Sequence, residues 1–173
     1  LWGTSELDDQ ADGLSYGNSD WKLFQIQDPN KTKRPNPGYT QNLWRNGVEL
    51  GVIASTDDHR GRPGKRRGGI AAVYAPELTR EAVFDAVRDK YTYGTTGDRI
   101  LLDFSINGTR QGAKLRATEP RLLQVDVHGT DDIAWVEILK LSQGAEDYEL
   151  LHRVEPAGMD ISLTVEDTDN AAA

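Results

Sequence analysis

Ile70-Ala71-Ala72-Val73-Tyr74-Ala75 is an apolar run without alternation, and after Pro76-Glu77-Leu78 it gives way to Thr79-Arg80-Glu81-Ala82-Val83-Phe84-Asp85-Ala86-Val87-Arg88-Asp89-Lys90. The first part has the length and composition of a strand covered on both faces, as in parallel sheets. The second reads as a helix. Thr79 is an N-cap, Glu81 lies in the first turn where the macrodipole favours an anion, and Leu78 is placed to staple onto Val83. The helix is expected to run to about Lys90 and stop before Gly94. Strand followed by helix predicts α/β structure here.

Upstream, residues 1–42 hold few apolar positions and no sustained period, and Asp28-Pro29-Asn30 with Pro35-Asn36-Pro37-Gly38 mark them as loop. Gln41 to Gly47 is expected to form a short helix ending at glycine, Val48 to Ala54 a strand, and Ser55 to Gly69 a polar loop. Downstream of Arg99 the pattern changes to short strands: Ile100 to Ile106, Leu122 to Val127, Ile133 to Leu141, Tyr148 to Val154 and Ile161 to Val165. Asn107-Gly108 has the composition of a hairpin turn, and Gln124-Val125-Asp126-Val127 alternates clearly. The expected organisation is α/β structure over 1–98, a small antiparallel, β-sandwich-like unit over 99–168, and a tail over 169–173. Leu1 at the start and the abrupt last residues predict a piece of a longer protein.

Composition narrows the function. Of 173 residues, 28 are acidic and 20 basic, a net charge of −8, so no nucleic-acid partner is expected, and any anion must be bound locally. No apolar run approaches the ~20 residues of a bilayer span, so no membrane association is expected; the chain reads as soluble, in the cytoplasm or exported. The absence of cysteine removes disulfides, thiolate ligands and cysteine nucleophiles.

The chemistry concentrates where Gly51-Val52-Ile53-Ala54-Ser55-Thr56 runs into Asp57-Asp58-His59. In extended chain, side chains two apart share a side, so Asp57 and His59 together can offer a carboxylate oxygen and an imidazole nitrogen to a divalent metal. Manganese, zinc and iron all accept that pair. The plain alternative is a surface turn in which Asp57 caps an amide. Arg60, Arg62, Lys65, Arg66 and Arg67 then put five positive charges into eight residues. Their guanidinium forks suit phosphate or sulfate oxygens, although a solvated basic loop has the same composition. Glu6, Asp8, Asp9 and Asp12 are further oxygen donors or simply wet, and His128 and His152 read as structural.

Three blocks carry a resemblance: Gly51-Val52-Ile53-Ala54-Ser55-Thr56-Asp57-Asp58-His59-Arg60-Gly61-Arg62-Pro63-Gly64, Ala71 to Ala82, and Tyr91-Thr92-Tyr93-Gly94-Thr95-Thr96-Gly97-Asp98-Arg99-Ile100, with Trp2-Gly3-Thr4-Ser5-Glu6 as an earlier one. They resemble the C-terminal part of a bacterial family of unknown function related to the polymerase and histidinol phosphatase (PHP) superfamily. The resemblance implies the C-terminal remnant of a distorted, TIM-like (βα) barrel holding two or three divalent ions, with Asp57 and His59 on the superfamily's last Asp-x-His ligand pair. It implies a metal-dependent hydrolase, expected to act on a small phosphoester through metal-activated water, with Asp57 and His59 catalytic. Beside that pair, the charge of Arg60, Arg62, Arg66 and Arg67 makes them, apart from the resemblance, the expected holders of the substrate's anionic group. The earlier His-x-His of that superfamily has no counterpart here. By ligand count, the chain without the N-terminal part of its barrel is expected to be inactive. An amide, lactone or sulfate ester substrate is a variant of the same reading. The competing class is a non-catalytic module that binds a glycan or a protein through its β unit on a barrel scaffold.

Overall fold

The computed structural model describes residues 44, 46–56, 60–62, 68–116, 120–145 and 148–168. Its elements are β1 (Ile70–Val73), α1 (Arg80–Arg88), β2 (Thr92–Thr95), β3 (Leu101–Ile106), β4 (Thr109–Arg110), β5 (Arg121–His128), β6 (Val136–Lys140), β7 (Glu149–Val154) and β8 (Asp160–Asp167).

Helix α1 starts where its cap dictates. Thr79 is extended (φ −115°, ψ 159°) and its Oγ1 accepts from the Ala82 amide at 3.2 Å, satisfying one of the amides that a helix start leaves without a partner. Leu78, however, is 97% exposed, so the expected staple onto Val83 does not form. The helix ends at Arg88, with Asp89 as C-cap. Beyond it the Tyr91 amide donates to the Ala86 carbonyl at 2.9 Å and the Lys90 amide to the Val87 carbonyl at 3.2 Å. These are the two bonds of a Schellman motif, and Lys90 takes the left-handed position (φ 66°) that glycine usually fills.

That turn decides the direction of return, and it overturns the barrel expectation. A βα barrel needs each helix to bring the chain back parallel to the preceding strand. Here α1 links two strands that pair antiparallel, Ile70 opposite Thr95 and Val73 opposite Thr92. All other strand pairs among the described residues are antiparallel too, and their sheets do not close. Strand dominates over helix, so the described chain is neither a (βα) barrel remnant nor α/β in the expected sense. The apolar run Val48 to Ala54 joins no ladder, and Ile53 is 62% exposed.

The other sheets follow from alternation. β3 and β4 turn at Asn107 (φ 50°) and Gly108 (φ 74°), both positive as a type I′ turn requires. The larger sheet has the order β4-β3-β5-β8. Along β5, Leu123, Val125 and Val127 are buried while Leu122, Gln124, Asp126 and His128 are exposed. The buried side chains meet Ile138 of β6, and Leu102 and Phe104 of β3, Leu151 of β7 and Leu163 of β8 close the cluster. The β6–β7 hairpin therefore lies over the inner face of the four-stranded sheet. No helix among the described residues is long and apolar enough to cross a membrane.

Candidate functional site

Segment 51–56, which leads to Asp57-x-His59, is held by close backbone approach rather than by a ladder. The Thr92 hydroxyl of β2 donates to the Val52 carbonyl at 2.8 Å. Two residues on, a side chain at Gly94 would sit 2.7 Å from Ala54 Cβ, so only glycine lets the segment lie this near β2. A side chain at Gly69 would meet the Ser55 carbonyl at 2.5 Å, and Gly68 lies against Thr56 in the same way. The flanks of residues 57–67 are thereby brought together, Ser55 and Thr56 against Gly68 and Gly69.

Asp57, His59, Arg66 and Arg67 lie outside the described residues, as do Glu6, Asp8, Asp9, Asp12 and Lys65. Arg60 and Arg62 are described and exposed, on either side of Gly61 (φ 65°). Among the described residues no three His, Cys, Asp or Glu side chains converge in a way that would hold a metal. His128 Nδ1 instead pairs with Asp160 Oδ1 at 2.8 Å on the wet face of the large sheet, and His152 is half-buried in β7 opposite Ile138. Thr95 Oγ1 accepts from the Gly97 amide at 3.4 Å, which closes a local turn at the end of β2.

The fold also assembles a groove of about 500 Å3 whose lining includes Trp44, Val48, Val52, Lys90, Thr92 and Lys114. Glu49 stands at its rim, with Oε2 3.7 Å from the Lys90 ammonium and Oε1 in contact with that of Lys114. The hydrogen bond from Lys114 is the main reason the Glu49 carboxyl is held below the usual carboxylate range; desolvation opposes it, and the charges of Lys114 and Lys90 add to it. The Trp44 indole N–H donates to the Leu50 carbonyl at 3.2 Å, which fixes the ring as a wall. Nothing in the linear spacing of Trp44, Glu49, Lys90 and Lys114 marks them as neighbours; the turn after α1 and the loop after β4 bring them together.

A second cluster sits where the two parts of the chain meet. The Tyr93 hydroxyl donates to the Ile100 carbonyl at 2.9 Å and accepts from the Leu102 amide at 3.3 Å. The Tyr74 ring lies 5.4 Å from that of Tyr93 and under the Arg110 guanidinium at 4.8 Å. Burial, reinforced by Tyr93 and Asp103 and opposed by Arg110, pushes the Tyr74 phenol well above its ordinary range.

Residues 65–120 match the model of a family described as Protein of unknown function (DUF3604). An uncharacterized protein of Chlamydia pneumoniae is 28% identical over 99 residues, covering 57% of this chain and 16% of that protein. One from Chlamydia trachomatis is 27% identical over 105 residues, again 57% of this chain and 16% of the relative. The chain thus spans only a small part of the curated relatives it matches. No solved structure matches. None of these similarities names the PHP superfamily; what they support is likeness to a bacterial family of unknown function.

Proposed function

We propose that this chain contributes a carboxylate and an imidazole, Asp57 and His59, to a divalent-metal-dependent hydrolase of anionic esters, a phosphoester by preference. One observation carries the reading: Asp57-x-His59 and the basic residues 60–67 lie in one short stretch of sequence whose described flanks, Thr56 and Gly68, lie against each other. The contact of those flanks confines metal donors and anion-neutralising guanidinium groups to one short stretch of chain. No barrel is needed for this.

The donor set suits manganese, zinc or iron in kind but not in number. A hydrolytic ion takes at least three protein ligands and an open position. Two are offered here, and among the described residues no cluster supplies a complete set. The described residues therefore do not make a full site, and further ligands must come from polypeptide outside them. When bound, such an ion lowers the pKa of water and offsets charge on a phosphoryl oxygen. This chain's own share is to present Asp57 and His59 and, through Arg60, Arg62, Arg66 and Arg67, to neutralise the ester's anionic group.

Titrating the chain with Mn2+ while following the histidine ring protons by NMR tests the ligands directly. Saturable broadening confined to the His59 ring, weakened at least about tenfold in Asp57→Asn, is expected. Equal broadening in the native chain, Asp57→Asn and His59→Ala removes the assignment.

A second reading, a non-catalytic recognition module, is favoured by the outward face of β6 and β7. Trp135 is 52% exposed there, with the Arg153 guanidinium 5.0 Å from its ring centre and the Leu139–Leu150 pair also exposed. Outward faces of antiparallel sheets are usually polar, so this one suits a partner. A Trp135→Ala variant that retains Mn2+ binding but loses retention on immobilised glycan or protein would favour that class.

A further inference from the structure

The groove beside β2 is independent of the Asp57-x-His59 loop. Along the segment leading to Asp57 its lining ends at Val52, and neither Ser55 nor Thr56 nor Gly68 nor Gly69 belongs to it. Its most informative residue is Lys90. The left-handed position that ends a Schellman motif is normally glycine, because a β-carbon there is strained. A lysine occupies it here, with Gly51 against its Cβ and Cγ and Gly112 against its carbonyl. A lysine standing where glycine would be easier points to a use for its side chain. That side chain reaches the groove, where its ammonium and that of Lys114 converge on one carboxylate of the chain itself.

We propose that this groove binds a small organic anion, an alkyl or aryl phosphate or carboxylate, whose charged head replaces the Glu49 carboxylate between Lys90 and Lys114 and whose apolar body lies against Trp44. Glu49 marks where the anionic group sits and competes with it. The charge logic is local: the chain carries −8 overall, yet removing Glu49 from between the lysines leaves two positive charges facing one point. Trp44, Val48 and Val52 supply a flat apolar wall that inorganic phosphate cannot use and an aryl group can.

Phenyl phosphate, benzoate and inorganic phosphate are titrated into the full chain, with binding followed by the Trp44 indole N–H signal. Saturable binding of phenyl phosphate and benzoate, with inorganic phosphate weaker, is expected. Glu49→Gln should tighten it about fivefold, the factor one unit charge at ~4 Å is worth in water, and Lys114→Ala should weaken it by at least as much. Lys90→Gly separates function from folding, because glycine relieves the left-handed strain; this variant should melt no lower than the native chain and yet bind at least about fivefold more weakly. Asp57→Asn should bind as the native chain does, which distinguishes this site from the proposed metal loop. The proposal is overturned by any of three results: no saturable binding even to Glu49→Gln, unchanged affinity in Lys90→Gly, or inorganic phosphate binding as tightly as phenyl phosphate.

Discussion

Replacing Gly94 by alanine puts a methyl group where segment 51–56 now lies. The new Cβ would stand 2.7 Å from Ala54 Cβ and 3.1 Å from its amide nitrogen, against the ~3.5–4.0 Å of an ordinary carbon contact. Forcing a methylene into so tight a contact costs about 1–3 kcal/mol. Gly94 has no positive φ, so alanine recovers ~0.4–1 kcal/mol by restricting the unfolded chain. The net loss is about 1–2 kcal/mol, which for a chain of this size lowers Tm by about 2–8 °C. Ala54→Gly removes the nearer clash, so the double variant should be more stable than the sum of the single losses by at least ~0.5 kcal/mol. Gly69→Ala is the contrast: its Cβ would meet the Ser55 carbonyl oxygen at 2.5 Å and the Ser55 nitrogen at 2.8 Å, backbone atoms that no truncation removes, so it should melt lower than Gly94→Ala. Thermal and urea unfolding of the five proteins decide the matter. A neutral or stabilised Gly94→Ala, or strict additivity with Ala54→Gly, would mean that the segment is not wedged against β2.

Asp167, 7% exposed at the end of β8, accepts from Arg121 Nη2 at 2.9 Å and lies 3.4 Å from Lys140 Nζ, which ties β5, β6 and β8 together. Asp167→Ala should cost about 2–4 kcal/mol in urea unfolding, somewhat below a fully buried pair because both cations keep some exposure; a loss under ~1 kcal/mol would reduce the cluster to surface pairing. Thr79→Ala removes the cap of α1 and should cost ~1 kcal/mol, with Thr79→Ser restoring most of it; equal stability of alanine and serine variants would refute the capping role. The raised Tyr74 pKa means that the folded chain keeps this proton after the unfolded chain has lost it. Its contribution is therefore full below the ordinary phenol value of 10 and disappears as pH rises through the folded value. In a phenolate absorbance titration one of the six tyrosines should resist ionisation until the chain unfolds, and Tyr74→Phe should abolish that late step; six tyrosines titrating together would contradict it.

The β5 strand is legible in the sequence because its two faces differ: Leu123, Val125 and Val127 go in while Gln124, Asp126 and His128 stay wet. The Thr79 cap and the Asn107-Gly108 turn are legible because their signals are local. β2 is not. Thr92-Tyr93-Gly94-Thr95 is too short and too broken by its glycine to announce a strand by periodicity; β1 pairs with it, and Ala54 requires a glycine at 94. The barrel expectation fails for a related reason. Strand followed by helix does not encode the direction in which the chain returns, and here the left-handed Lys90 precedes an antiparallel strand. Val48 to Ala54 has the composition of a buried strand, but the described fold leaves Val48, Leu50 and Ile53 exposed. Asp57-x-His59 stands out as a motif, whereas the Glu49, Lys90 and Lys114 groove depends wholly on folding.

Stability and candidate chemistry are unequally distributed along this chain. The packed apolar cluster is built by residues 100–165, whereas Ala86 is the buried apolar side chain of residues 44–95 among those described. The earlier part is attached to the later one through polar links: Tyr93 to Ile100 and Leu102, Gln111 Nε2 to the Thr92 carbonyl at 3.1 Å, and Thr92 in turn to Val52. Regions with few buried apolar contacts open before the core does. Segment 51–56 should therefore exchange its amides faster than β5. Whatever binds at the groove or the loop will stabilise that segment first, because a ligand that favours the closed arrangement shifts the local equilibrium by its own binding free energy. A tether of this kind suits a site completed by further polypeptide or by a ligand: the sheet supplies a fixed frame, and the segment leading to the candidate residues is the part a bound group would settle first.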